Sequence, residues 1–200
     1  MTFSKPMIEV VNLGRISYGN ALQAQQKFIR RHVDALTRLP TDEAPLNALL
    51  LCEHPPVYTI GIRTAPYPIR EEERLKELGA EFYRANRGGL ITFHGPGQLV
   101  CYPILNLAHF KKSVRWYVGE LERTAVQLCS KFGIKAETSS ETGVWVGKNK
   151  ICAIDSLHRP ESSSDSLGKT SAAVEVQCGN GAPWKYVQWT KYAANIMNTR

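Results

Sequence analysis

The 200-residue chain lacks any run of about 18 apolar residues, which excludes a transmembrane helix. It has no C-x-x-C pair. Its five cysteines, Cys52, Cys101, Cys129, Cys152 and Cys178, are odd in number and scattered, arguing against a zinc ribbon and a secreted disulfide framework alike. Neither G-x-G-x-x-G nor a P-loop is present, so phosphate cradling has no motif behind it. No apolar signal core or Arg-rich leader follows Met1, and neither a secretory signal nor a long transit peptide is expected. No basic run reaches five residues; the densest groups are Arg30-Arg31, Lys111-Lys112 and Lys148 with Lys150. Without a binding motif, nucleic acid is the weakest reading of that charge.

What is present is an ordinary globular composition, 43% hydrophobic and 22% charged, at a length that suits one domain in a reducing compartment. The net charge is +7, from 25 Lys+Arg and 18 Asp+Glu. Residues 1–150 hold 20 and 14 of these, residues 151–200 only 5 and 4. The plain reading is a solvated surface; the functional one is an acidic protein partner.

Periodicity predicts a strand at Met7–Leu13, then a helix after Ser17 with Leu22, Phe28, Ile29, Val33 and Leu36 largely on one face. Leu46–Glu53 and Val57–Ile62 read as strands joined through Pro55-Pro56, and Ile69–Leu78 as a short charged helix stopped by Gly79. Glu81–Arg87, Leu90–His94 and Leu99–Leu107 read as three successive strands. Ser113 opens a second long helix that Gly133 closes, and Gly143–Val146 with Lys150–Ile154 forms a hairpin. The expectation is an α+β fold, a mixed β-sheet packed by helices. Past residue 154 the texture changes: seven Ser or Thr fall within Asp155–Ser171, which reads as linker or disorder. A patch at Trp184–Trp189 and a weak helix at Lys191–Met197 follow. The division is therefore 1–154 as an α/β domain and 155–200 as a poorly ordered, Ser-rich tail.

Arg87–Gln98, RGGLITFHGPGQ, is the segment richest in chemistry. Four glycines in twelve residues disfavour a plain core strand and allow a backbone to approach a ligand closely. Leu90, Thr92 and His94 share one strand face by period two, with Ile91 and Phe93 on the other. A glycine-rich hairpin with incidental Arg and His is the bland alternative.

This motif, followed by Tyr102-Pro103-x-Leu105-x-Leu107, resembles the signature of the lipoate-biosynthesis octanoyltransferases. Leu50–Gly61 (LLCEHPPVYTIG) resembles that family's early strand pair, and Thr142–Val146 with Lys150–Ile154 its central hairpin. The resemblance spans about residues 8–154, and Cys101 with the KICAI run looks like mitochondrial members.

The resemblance implies the fold of biotin and lipoate protein ligase catalytic domains, and an enzyme that moves an octanoyl group from acyl carrier protein to a lysine of a lipoyl domain. Acceptors would be lipoyl domains of 2-oxoacid dehydrogenase complexes and the glycine cleavage H protein, in the mitochondrion, with no cofactor, metal or membrane span. It implies a cysteine thioester, with Lys150 lowering the thiol pKa. Arg87, Gly88, Gly89, Leu90, Ile91, Thr92, Phe93 and His94 would line the acyl pocket, with Ala153 and Ile154 at its other wall. The family's next segments, H-G-L-A-L-N and a Pro-Cys-Gly bearing the nucleophile, have no counterpart here. Cys178 in Val176-Gln177-Cys178-Gly179 is the thiol at a suitable distance, and the other four cysteines read as small buried hydrophobes. Agreement that stops abruptly at Ile154 points to an alternatively spliced or mis-assembled form, incomplete at the C-terminal end. Two alternatives accompany the transferase: a catalytically incompetent form that still binds the acyl chain or carrier, and a lipoate- or biotin-ligase-like enzyme.

Overall fold

The computed structural model describes residues 7–37, 47–61, 69–85, 91–156 and 171–178. The elements in order are β1 (Ile8–Arg15), α1 (Tyr18–Thr37), β2 (Asn47–Glu53), β3 (Val57–Ile60), α2 (Ile69–Glu77), β4 (Glu81–Arg84), β5 (Thr92–His94) and β6 (Leu99–Asn106). There follow a 3₁₀ turn (Leu107–His109), α3 (Val114–Lys131), β7 (Glu137–Thr138), β8 (Val144–Val146), β9 (Asn149–Ser156) and β10 (Ser171–Cys178).

The strands form two sheets. The larger has the order β1-β2-β6-β10-β9-β8-β7, the smaller β4-β3-β5. Among the described residues β1–β2 and β3–β4 pair in parallel, and the other ladders are antiparallel. The expected α+β mixed sheet is what is found, divided in two. Pro55-Pro56 and Gly95-Pro96-Gly97 therefore do not close hairpins. Each carries the chain from one sheet to the other.

Local chemistry accounts for several boundaries. Ser113 caps α3, its hydroxyl accepting from the Trp116 amide at 3.2 Å. Gly133 follows the helix with φ +72°, as a terminating glycine should. β6 is buried at all eight positions, which its near-continuous apolar run LVCYPILN fits. Its ladder to β10 is interrupted opposite Tyr102 and Pro103, and proline has no N–H to contribute.

Alternation along the strands sorts the large sheet into two faces. Leu49, Leu51, Leu99, Cys101, Val144, Cys152 and Ile154 pack toward α3, against Tyr117, Leu121, Ala125 and Leu128. Ala48, Leu50, Cys52, Val100, Tyr102 and Ile104 pack toward α1, against Ala21, Ala24 and Phe28. Cys52, Cys101, Cys129 and Cys152 form no disulfide among the described residues and are buried, as expected of them.

The strand expected to stop at Ile154 continues to Ser156, and Ser171–Cys178 takes a place between β6 and β9. Residues 171–178 therefore depart from the expected poorly ordered tail. The sequence S-A-A-V-E-V-Q-C alternates with period two, a strand signal that the serine content just upstream obscured. The patch at Trp184–Trp189 and the helix at Lys191–Met197 lie outside the described residues.

Candidate functional site

Two histidines mark the points where the chain changes sheet. His54 ends the passage out of β2, and His94 ends β5 before the return to β6. Both are fully buried, and their rings meet edge to face at 5.7 Å. Burying imidazoles demands hydrogen-bond partners. His54 Nδ1 lies 2.7 Å from the Ile16 carbonyl, and a carbonyl only accepts, so Nδ1 carries the proton. With Nδ1 as donor, Nε2 of the neutral tautomer accepts from the Tyr102 hydroxyl at 3.0 Å, with Cys52 Sγ at 3.5 Å. His94 Nε2 sits 3.3 Å from Thr59 Oγ1. Tyr18 of α1 stacks on His94 at 5.8 Å and meets His54 edge-on at 5.6 Å. The cluster ties α1, β2, β3, β5 and β6 together at one end of the large sheet.

Lys150 stands at that same end. Cys178 pairs with Leu99 of β6 on one side and Cys152 of β9 on the other, so the starts of β6 and β9 share one edge. They are two strand spacings apart, about 10 Å. Lys150 precedes that row by two residues. A bulge at Ile151 sets Lys150 opposite Trp145 while Cys152 stays opposite Val144. Val144 packs toward α3, so Lys150 and Trp145 lie on the other face, the one that carries Tyr102. The Lys150 ammonium lies 4.8 Å from the centre of the Trp145 ring.

The predicted site residues divide on this geometry. His94, Thr92, Ala153 and Lys150 belong to the polar end and its face; Ala153 registers through Gln177 with Val100, which packs toward α1. Ile154 is buried against α3, on the other face. Phe93 is 40% exposed and packs on Tyr58 at 5.0 Å, on the outer side of the small sheet. Ile91 is half-buried just before β5. Cys178 shares the row of Leu99 and Cys152, both of which pack toward α3. Arg87, Gly88, Gly89 and Leu90 lie outside the described residues. The sequence motifs do not mark His54, Tyr102, Thr59 or Tyr18 as site residues. A signal existed for His54, since both crossings are a histidine followed within two residues by proline.

One ionisable group on the α3 side is displaced strongly. Burial pushes the Tyr117 phenol well above its ordinary value, and Cys101 adds to the effect. No group of three or more His, Cys, Asp or Glu suited to a metal occurs among the described residues.

The family model for the lipoyl protein ligase A/B catalytic domain matches residues 18–157. The mitochondrial octanoyl-[acyl-carrier-protein]:protein N-octanoyltransferase of Danio rerio is 66% identical over 154 residues, 77% of this chain and 66% of that protein. Its Xenopus tropicalis counterpart is 50% identical over 151 residues, 76% and 62% of the two chains. The chain thus spans slightly less than two thirds of the length of these relatives. Among solved structures, P. falciparum LipL1 in complex with lipoate superposes with a TM-score of 0.66 at 13% identity, covering 97% of this chain and 60% of that one. That likeness establishes the fold.

Proposed function

Because the chain belongs to the lipoyl protein ligase A/B catalytic-domain family, we propose that it handles an octanoyl group as its octanoyltransferase relatives are named for doing. The donor is an octanoyl thioester on acyl carrier protein and the acceptor a lipoyl-domain lysine, including those of 2-oxoacid dehydrogenase complexes and the glycine cleavage H protein. The compartment is the mitochondrion, in which these relatives are named. The observation that supports the reading is the polar end of the large sheet, to whose α1-side face Ala153 and Lys150 belong and beside which His94 is buried with Tyr18 and His54. The acyl chain would lie along the Arg87–His94 segment, with Ala153 as the further wall and Ile154, on the α3 side, outside it.

In the transfer, a thiolate attacks the octanoyl carbonyl carbon, forming a new thioester and releasing the carrier thiolate. The Lys150 ammonium supplies the proton that leaving sulfur takes up. The acceptor amine then attacks the enzyme thioester, forming the amide. Its proton returns to Lys150 and the cysteine leaves as thiolate. Cys178 is the thiol offered for this sequence of steps, and a cation beside it would lower its pKa.

The register of β10 favours a second reading. Cys178 shares its row with residues that pack toward α3, whereas Lys150 occupies the other face. On that reading the chain holds the octanoyl group or its carrier without forming a thioester at Cys178. Incubation with octanoyl-carrier protein and a lipoyl domain, followed by peptide mass mapping, separates the two. An octanoyl increment on Cys178 with amide on the acceptor supports transfer; carrier capture without increment supports binding. Neither capture nor increment would sink both.

A further inference from the structure

Lys150 is held by its surroundings more closely than a hairpin lysine needs to be. Its ammonium sits over the Trp145 ring at 4.8 Å, within the range of a cation–π contact. Its stem runs over Gly143: a Cβ built there would come within 3.1 Å of Lys150 Cε and 3.4 Å of Cδ. The same Cβ would meet the Cys152 carbonyl at 2.7 Å, and φ at Gly143 is +131°, a region that side chains rarely adopt.

Both walls of this holder are tied from outside. The Gly143 amide donates to Glu122 Oε1 of α3 at 2.8 Å, and Trp145 Nε1 donates to the Glu141 carbonyl at 3.4 Å. The bulge at Ile151 then places Lys150 opposite Trp145 rather than one residue away, on the opposite face. By contrast, neighbouring Lys148 is in the exposed turn.

We infer that Gly143 and Trp145 form a built rest position for the Lys150 ammonium, which makes Trp145 a positioning residue of the acyl site. The lysine starts from one fixed orientation on the α1-side face instead of sampling the rotamers of a free surface chain, and less freedom is lost when it engages a thioester. This rests on the reading of Lys150 as the cation of that site.

The test uses the full chain with its lysines converted to ¹³C-dimethyl-lysine, which keeps the positive charge. Lys150→Arg identifies the Lys150 signal. An ammonium over an indole face should give a methyl resonance moved upfield by the ring, distinct from the other lysines. The shift should disappear in Trp145→Leu and persist in part in Trp145→Phe, which keeps an aromatic face. Capture or transfer of octanoyl from carrier protein should fall about threefold in Trp145→Leu, the size of an exposed cation–π contact, and recover in Trp145→Phe. A Lys150 resonance among the other lysines, or a shift that survives Trp145→Leu, would overturn the holder. Loss of the shift with unchanged capture and transfer would overturn the positioning role. If the shift behaves as expected while Lys150→Ala leaves capture and transfer intact, the holder stands and the role assigned to Lys150 falls.

Discussion

The two faces of the large sheet are made by alternate residues of the same strands, yet they are built from different materials. Apart from the Tyr117 hydroxyl the α3 side is built of apolar side chains and thiols, with Leu49, Leu51, Leu99 and Ile154 closing on Leu121, Ala125 and Leu128. The α1 side begins in the same way and then turns polar at one end, where His54, Tyr102, Cys52 and His94 are buried on hydrogen bonds and Lys150 stands at the edge. Apolar burial is non-directional and stabilises through area; buried polar groups stabilise only when each finds its partner. The first kind of face holds a fold together. The second fixes positions, as a reacting site requires.

Two buried tyrosines express the contrast. Tyr102 is fully buried and its hydroxyl donates to His54. Tyr117 is also buried, but its hydroxyl has no hydrogen-bond partner among the described residues.

The largest effect should come from the apolar face. Leu121→Ala opens a cavity against the α3-side core and should cost about 2–5 kcal/mol in urea unfolding. A cost near that of an exposed residue would mean the face is not the load-carrying core described. Next is His54→Ala, which removes the ring bonded to the Ile16 carbonyl and to the Tyr102 hydroxyl. About 2–4 kcal/mol is expected, with Tyr102→Phe costing roughly 1–2 kcal/mol by the same reasoning. If Tyr102→Phe proves neutral, the polar end is not held by this bond.

Tyr117→Phe should go the other way, leaving stability unchanged or raising it by up to about 1 kcal/mol, because the hydroxyl it removes is buried without a hydrogen bond among the described residues. A pH signature accompanies it. The folded Tyr117 phenol ionises well above the ordinary value of 10.0, so the unfolded chain releases its proton first as pH rises. Stability should be unaffected below about pH 10 and decline above it, with a shallower alkaline slope in Tyr117→Phe. Equal slopes would show that the phenol is not buried as described. The smallest change in stability belongs to Lys150→Ala, within about 0.5 kcal/mol, since Lys150 is only half-buried at the start of β9. Its consequence should be confined to octanoyl capture and transfer.

Much of this was legible in sequence. The helix opening at Ser113, the buried run of β6 and the Lys150 hairpin follow from capping, hydropathy and turn chemistry, all of which are local. The family motif singles out His94 and Lys150 as candidate site residues. What sequence did not reveal is relational. Pro55-Pro56 and Gly95–Gly97 look like hairpin turns, and only the pairing of β3 with β4 and β5 shows that they cross between sheets. The Ile151 bulge puts Lys150 and Cys152 on opposite faces, where strict alternation would put them on the same one. Phe93 belongs to the motif but lies on the outer side of the small sheet, since period two fixes which residues alternate and not which set faces in. β10 is hidden in the sequence by the serine content of its neighbourhood.

The separation of the two faces is tested most directly at Cys178. Its rate of alkylation by iodoacetamide at neutral pH can be followed by peptide mapping in the parent chain and in Lys150→Ala. With Cys178 in the row of Leu99 and Cys152 and Lys150 on the other face, the two rates should agree within about twofold. A lysine adjacent to the thiol would hold it partly as thiolate, and losing that lysine would slow alkylation about tenfold or more. Agreement supports two faces with separate work. A tenfold loss would contradict the register and restore Cys178 and Lys150 as partners in a single site.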